Sequence, residues 1–336
     1  MSKAKVICVS DSNDSSWQAV FRNLPVDTEI VATGTVLKDF NFEELRSKDA
    51  NVVFVSYLDV KDLLSTFLSE LPSLEWVHFR AAGIDSVMTD TLKSWTGTMT
   101  NAKGSFSEAL AEYALTACLY LDSWSICLSH CSRLSSFLAR RSAKDLPRLL
   151  RQKGVKQWEK YTVRELKGAT LGIIGFGDIG RECAKLASAF GMRIIALRRN
   201  PKPDSLCDAV YGNDTASLNR LFADSDYILC AAPLTPQTRE CRIHHLGRGA
   251  VADEDALIDA LTTRKLKGAG LDVFATEPLS RESPFWDLEN VLLSPHNMDQ
   301  TDMKLQQATE FFVKENLPRF IKGEDLLNIV DLRSGY

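Results

Sequence analysis

Three ionisable residues stand at the ends of late segments of this 336-residue chain. Arg248 lies in Gly247-Arg248-Gly249-Ala250, Glu277 in Ala275-Thr276-Glu277-Pro278-Leu279, and His296 in Leu293-Ser294-Pro295-His296. An imidazole titrates near physiological pH and can move protons. A guanidinium offers a planar fork of donors that fits a carboxylate. On residue type alone a plainer reading competes: a satisfied loop histidine after Pro295, and two surface charges.

The stretch 170–199 carries a more specific signal. Leu171-Gly172-Ile173-Ile174 reads as a strand, and Gly175-Phe176-Gly177-Asp178-Ile179-Gly180 follows at once. A helix pattern runs to Phe190, Gly191 ends it, and 192–197 reads as the next strand. This is GxGxxG in strand–turn–helix context. Its glycines permit a sharp turn, close approach of a pyrophosphate and tight helix packing, and the helix start offers amides and a partial positive charge. Gly175, Gly177, Asp178, Ile179 and Gly180 are therefore expected to bind a dinucleotide.

The end of the second strand selects which one. An Asp or Glu about 20 residues past the motif binds the ribose hydroxyls of NAD. Here Arg198 and Arg199 hold that place, and the next carboxylate is Asp204. Two guanidiniums attract a 2′-phosphate. NADP is therefore favoured over NAD, the rival reading being a solvated basic strand end.

The elements that must position these residues read as alternating strands and helices. Apolar runs over 5–10, 51–57 and 74–79 predict buried strands, with helices over 42–45 and 60–68 between them. That alternation predicts a parallel sheet. Ala81-Ala82-Gly83-Ile84-Asp85 follows the third strand, as a tight turn or as a ligand loop at a strand's carboxyl end. Ser105-Phe106-Ser107-Glu108 has capping-box spacing and opens a helix. Its stripe of Phe106, Leu110, Tyr113, Ala117 and Leu121 reads as core or interface. Further strands are predicted over 209–211, 227–230, 268–274 and 291–293.

Composition narrows the class. The chain is 45% hydrophobic and 25% charged, as in soluble globular proteins, and long enough for about two domains. Lys plus Arg is 40 against 44 Asp plus Glu, so no basic excess points to nucleic acid. No apolar run reaches the length of a membrane span, and the start does not read as a signal peptide. Eight cysteines without a CxxC pair predict reduced thiols in a cytoplasmic protein. Cys241 with His244 and His245 lacks a second ligand pair, so no metal is expected.

Taken together, the motifs resemble the D-isomer-specific 2-hydroxyacid dehydrogenases, in particular the glyoxylate/hydroxypyruvate reductases. The resemblance rests on Asn101-Ala102-Lys103-Gly104, Ala111-Glu112-Tyr113, the GxGxxG unit, Pro233-Leu234-Thr235-Pro236-Gln237-Thr238, Gly247-Arg248-Gly249, Leu271-Asp272-Val273-Phe274, Glu277-Pro278-Leu279, Ser294-Pro295-His296 and Leu327-Asn328-Ile329-Val330. These stand in family order and span nearly the whole chain. The resemblance implies an α/β fold of two Rossmann-like domains with parallel sheets and the active site in the interdomain cleft. It implies a discontinuous substrate-binding domain, 1–104 plus 298–336, and a dinucleotide-binding domain, 105–297. It implies a catalytic set of His296 as acid/base, Glu277 as its orienting carboxylate and Arg248 on the substrate carboxylate and carbonyl. Pro233, Thr238 and Asp272 would lie by the cofactor, Asp272 near the nicotinamide carboxamide. Ala82 and Gly83 would offer amides to the substrate carboxylate, and Arg80 beside them either reads a second anion or lies at the surface. The implied reaction moves a hydride between a nicotinamide cofactor and a small 2-oxo or D-2-hydroxy acid, in a homodimer.

Two stretches depart from the family pattern. Residues 122–142 read as an insertion after the helix opened at Ser105, carrying Trp124, Ile126, Leu128, Leu134, Phe137 and Leu138. Residues 239–246 are about a dozen too few for the helix and strand that should deliver Arg248. Altered splicing or a mistaken gene model would produce both. The competing expectation is therefore a catalytically impaired product, or a dinucleotide-binding regulatory protein of the corepressor kind.

Overall fold

The computed structural model describes residues 3–11, 14, 16–120, 144–232 and 253–331. The chain divides into two compact units, Met1–Phe106 with Gln300–Tyr336, and Ser107–Asp299.

The first unit is built on five parallel strands: β1 (Ala4–Val9), β2 (Thr28–Gly34), β3 (Val52–Val55), β4 (Trp76–Phe79) and β5 (Thr98–Asn101), in the order β2-β1-β3-β4-β5. Successive strand residues point to opposite faces, and both faces here are apolar. Ile7, Val9, Val53, Val55, Val77 and Phe79 pack with Leu63, Leu64 and Phe67 of the helix Lys61–Glu70. Val6, Cys8, Val52, Phe54 and Trp76 pack instead with Phe312, Val313, Leu317 and Ile321. Those last residues come from the C-terminal stretch, where a π-helix (Phe311–Asn316) runs into the helix Leu317–Lys322. The tail then returns to β5, where Ile329 bridges Thr100 and the Asn101 amide donates to the Asn328 carbonyl at 3.2 Å.

The second unit holds β6 (Thr170–Ile174), β7 (Arg193–Leu197), β8 (Ala209–Tyr211) and β9 (Tyr227–Cys230), all parallel, in the order β8-β7-β6-β9. A separate parallel pair joins β10 (Ala269–Leu271) to β11 (Val291–Leu293). Among the described residues no ladder links β9 to β10. One apolar core nonetheless spans both sets: Ile174, Ile195, Ile228 and Cys230 share it with Leu257, Leu261, Leu271, Phe285 and Val291. On the opposite face Leu171, Ile173, Ile194 and Leu229 pack against the helices Ser107–Tyr120 and Asp178–Ala189. Gly270 lets the first of these come close, since a Cβ there would stand 2.6 Å from the Ala117 Cβ.

The structure corrects several expectations of detail. The helix expected from Ser105 begins at Ser107, because Gly104 sits at φ +90° and the Ser105 amide closes a turn on the Ala102 carbonyl. The strand expected over 268–274 is only Ala269–Leu271. Its partner β11 ends at Leu293, and Pro295 two residues on has no amide to extend the ladder. Strands β2 and β5 were not anticipated. The stretches 122–142 and 239–246 lie outside the described residues. So do Cys241, His244 and His245.

Candidate active site

The glycine turn follows β6 directly and opens the helix Asp178–Ala189. Its three glycines serve different ends. Gly175 sits at φ +92°, and a Cβ there would stand 2.5 Å from the Ala232 nitrogen. Gly180 would place a Cβ 2.7 Å from the Gly175 carbonyl oxygen. Both are required by the protein's own backbone. A Cβ on Gly177, the helix N-cap, would meet nothing within 4 Å. Protein packing therefore does not demand glycine at 177, and the open space beside the helix start is of the kind a phosphate can approach closely. The turn thus fits a dinucleotide. Asp178 and Ile179 form the first helical turn behind it.

At the far end of β7, the Arg198 amide donates to the Tyr211 carbonyl at 3.1 Å; the residue is half-buried and Arg199 is exposed. Asp204, the next carboxylate, is ion-paired with Arg181.

Asp272, Glu277 and His296 come together at the carboxyl ends of β10 and β11. The His296 Nδ1 stands 2.7 Å from the Glu277 Oε2. The other carboxylate oxygen, Oε1, accepts from the Phe274 amide at 2.8 Å, which fixes the orientation of Glu277. With Nδ1–H committed to Glu277, Nε2 is the nitrogen left to exchange a proton with a ligand. Both side chains are about one-third exposed, 38% for His296 and 35% for Glu277, so the pair is reachable from solvent. His296 has φ +53°, a left-handed conformation that a histidine adopts at some cost and that sites of chemistry often contain.

Asp272 sits beneath this pair, only 3% exposed. Its Oδ1 accepts from the Ser294 hydroxyl at 2.7 Å and the Asn297 amide at 3.2 Å, clamping the loop that carries His296. Burial pushes the Asp272 carboxyl above its ordinary value, opposed by Ser294 and by the nearby His296. Two supports escaped the sequence reading. The Tyr113 hydroxyl donates to the Leu271 and Leu292 carbonyls, both at 3.2 Å, and so ties the ends of β10 and β11 to the Ser107–Tyr120 helix. Glu254 Oε1 accepts from the Ala275 amide at 2.6 Å. The tyrosine's place in an apolar stripe marked it as core or interface, and its place in Ala111-Glu112-Tyr113 only as part of the family resemblance; nothing in the sequence around Glu254 points to Ala275.

In the first unit Ala82 and Gly83 follow β4 at the carboxyl edge of the sheet. Asn101 Nδ2 donates to the Ala82 carbonyl at 2.7 Å, and Ala82 packs by Ala102, Phe106 and Ala308. Arg80 answers to neither role open to it from sequence. It is 5% exposed, ion-paired with Asp14, and donates to the Ser16 hydroxyl at 2.8 Å and the Ser56 carbonyl at 3.1 Å. Three of its five N–H donors are thus used within the fold. Arg248, Pro233 and Thr238 lie outside the described residues. Among those described, no cluster of three metal-ligating side chains occurs, and no helix is long and apolar enough to cross a membrane.

The fold agrees with the comparisons. Residues 136–297 match the family model for the D-isomer specific 2-hydroxyacid dehydrogenase NAD binding domain. The chain is 32% identical to a glyoxylate reductase of Thermococcus litoralis, over 86% of this chain and 85% of that protein. It is 31% identical to a glyoxylate reductase of Aeropyrum pernix, over 86% of each. A crystal structure of a D-isomer specific 2-hydroxyacid dehydrogenase family protein from Aeromonas salmonicida superposes with a TM-score of 0.76 at 26% identity, covering 98% of this chain and 100% of that one. The chain therefore belongs to the D-isomer specific 2-hydroxyacid dehydrogenase family. It is an oxidoreductase that works with a nicotinamide dinucleotide, and the non-catalytic, corepressor-like reading gives way to the enzyme.

Proposed function

We propose that this enzyme reduces a small 2-oxo acid, glyoxylate or hydroxypyruvate, and prefers NADPH to NADH. The observation that carries the reading is the His296–Glu277 pair, a solvent-reachable imidazole whose inner nitrogen is held at 2.7 Å by a fixed carboxylate. When bound, the nicotinamide supplies the hydride. His296 Nε2 gives its proton to the carbonyl oxygen in reduction and takes it back in oxidation. Glu277 stabilises the charged imidazole that waits to donate. Arg248 is assigned to the substrate carboxylate and carbonyl, with the Ala82 and Gly83 amides as further donors, and Pro233, Thr238 and Asp272 to the cofactor. Gly177 and the amides of Asp178 and Ile179 would take the pyrophosphate, and Arg198 with Arg199 the 2′-phosphate. On this reading the Met1–Phe106 and Gln300–Tyr336 unit holds substrate and the Ser107–Asp299 unit holds cofactor. The names of the two glyoxylate reductases support the substrate class.

A homodimer is part of the same reading. Leu150 in the helix Leu146–Gly154, and Val155 and Trp158 just after it (60%, 70% and 94% exposed), are exposed apolar side chains of a kind a second subunit covers. A reducing compartment, the cytoplasm, suits the described cysteines, all free thiols; burial pushes Cys8 and Cys118 up to about 12 and Cys207 to about 11.

The test is to titrate the purified protein with NADPH and NADH, then add glyoxylate or hydroxypyruvate and follow loss of reduced-cofactor absorbance. Turnover with an NADPH preference is expected. Cofactor binding without turnover on either acid would overturn the substrate assignment, and equal use of both cofactors would overturn the arginine assignment.

A further inference from the structure

The loop after β7 carries Arg198 and Arg199 and then turns about one carboxylate. Asp204 Oδ1 accepts from the Leu206 amide at 3.1 Å, and the Cys207 amide donates to the Asp204 carbonyl at 3.0 Å. Its other oxygen is ion-paired with Arg181, and the aspartate side chain is 13% exposed. Arg181 directly follows Gly180 in the helix that opens from the glycine turn, and its guanidinium stands 5.6 Å from the ring centroid of Phe176, inside the same motif. The ion pair therefore ties the phosphate turn to the arginine loop. The Leu206 amide first, and then Arg181 and Arg198, hold the Asp204 carboxyl below its ordinary value, so it is ionised at neutral pH within the field of Arg198.

That arrangement poses a conflict. An ionised carboxylate close to Arg198 weakens the pull of that guanidinium on a second anion. Resting on the NADP preference argued above, we propose that the Arg181–Asp204 pair sets the discrimination between NADPH and NADH. Arg181 cancels the charge of Asp204, which would otherwise repel a 2′-phosphate at Arg198 and Arg199. NADH lacks that phosphate and is nearly indifferent to the pair. Arg181 and Asp204 are thus specificity-determining residues that act through charge.

The experiment measures Kd for NADPH and for NADH by quenching of protein fluorescence, without substrate, in Arg181→Gln, Asp204→Asn and the double variant. Arg181→Gln is expected to weaken NADPH about tenfold with little change for NADH. Asp204→Asn is expected to raise the NADPH preference about threefold, an effect that salt reduces. The double variant should return to within about twofold of the parent ratio. An NADPH:NADH ratio unmoved by both single variants overturns the proposal, as does a double variant that keeps the full Arg181→Gln loss. Should Arg181→Gln fail to fold, Asp204→Asn decides: an unchanged or lowered NADPH preference sinks the idea. Arg198→Gln with Arg199→Gln separates this from the reading beneath it. If that variant abolishes the NADPH preference while Arg181 and Asp204 prove neutral, only the present inference fails; if it changes nothing, the NADP assignment fails and this one with it.

Discussion

The glycine turn and the acid–base loops belong to the same unit but are held in place by opposite means. The turn is fixed by backbone against backbone: Gly175 leaves no space for a side chain beside Ala231 and Ala232, and Gly180 none beside the Gly175 carbonyl. The loops are fixed by side chains reaching over long sequence separations. Asp272 holds Ser294 and Asn297, Glu277 holds Phe274 and His296, Tyr113 holds the ends of two strands, and Glu254 holds Ala275. A steric device tolerates almost no substitution but needs no partners. A hydrogen-bonded device can lose one member and keep its shape while losing the chemistry that member performs.

The largest expected effect exploits that difference. His296→Asn should lower kcat/KM by about 10²–10⁴-fold, the usual worth of a positioned acid–base group, with melting temperature and NADPH binding near the parent values. Glu277→Gln should fall less far, since the imidazole remains. Steady-state turnover with a parallel thermal melt reads both. Parent-level turnover in His296→Asn would remove the pair from the mechanism and leave the loops as mere structure.

Within the turn, two glycines should part company. Gly175→Ala forces a side chain into φ +92° and against backbone, and should cost about 1–3 kcal/mol or more, visible as a lower melting temperature. Gly177→Ala meets open space and should melt near the parent, yet weaken cofactor binding about tenfold, because its methyl group points where a phosphate must approach. A Gly177→Ala protein that binds cofactor normally would show that the open space above the turn is not the pyrophosphate site.

The same contrast governs what could be read before the fold was known. The motif is six consecutive residues running from the end of a strand into the first turn of a helix, so its role lies in one window of sequence. The buried strand Val52–Val55 is an unbroken apolar run, and Trp76–Phe79 is interrupted only by His78, so both were equally plain. β2 was not: it is an edge strand in which Val31 alone is buried, so its apolar signal is faint. β5 is Thr98-Met99-Thr100-Asn101, three of its four residues polar, with Thr100 bonded to Trp76 and His78 and Asn101 to Ala82. Glu277 and His296 were legible only through family resemblance, because nothing local makes residues 19 apart a pair. Arg80 misled for a related reason. A charge beside a ligand loop invites a ligand role, and its partners Asp14, Ser16 and Ser56 come from distant segments.

A smaller effect should come from Asp272. Its carboxyl is raised in the folded protein above its unfolded value by burial. The folded state therefore binds this proton more tightly. The stabilising contribution is full below the unfolded value of about 3.9 and is lost as pH rises through the folded value. Asn at this position can still accept from Ser294 and Asn297 but carries no charge to bury. The melting temperature of Asp272→Asn relative to the parent should therefore rise as pH moves from the acid side of the carboxylate range to neutrality. A difference independent of pH would mean that burial does not penalise this carboxylate.

The smallest expected effect tests how loosely the loops are braced. Tyr113 donates one hydroxyl to two carbonyls, and burial pushes that hydroxyl up to about 12, so it stays a donor at any ordinary assay pH. Tyr113→Phe keeps the ring in the core and removes only this bond. The cost should be about 1 kcal/mol, a drop of about 2 °C in melting temperature for a protein of this size. Because the strands so released end at Asp272 and at the loop to His296, kcat should fall severalfold while cofactor binding at the glycine turn stays as it was. A loss of cofactor affinity equal to the loss in kcat would mean that the two regions share their support, and would remove the distinction between a turn held by backbone and loops held by side chains.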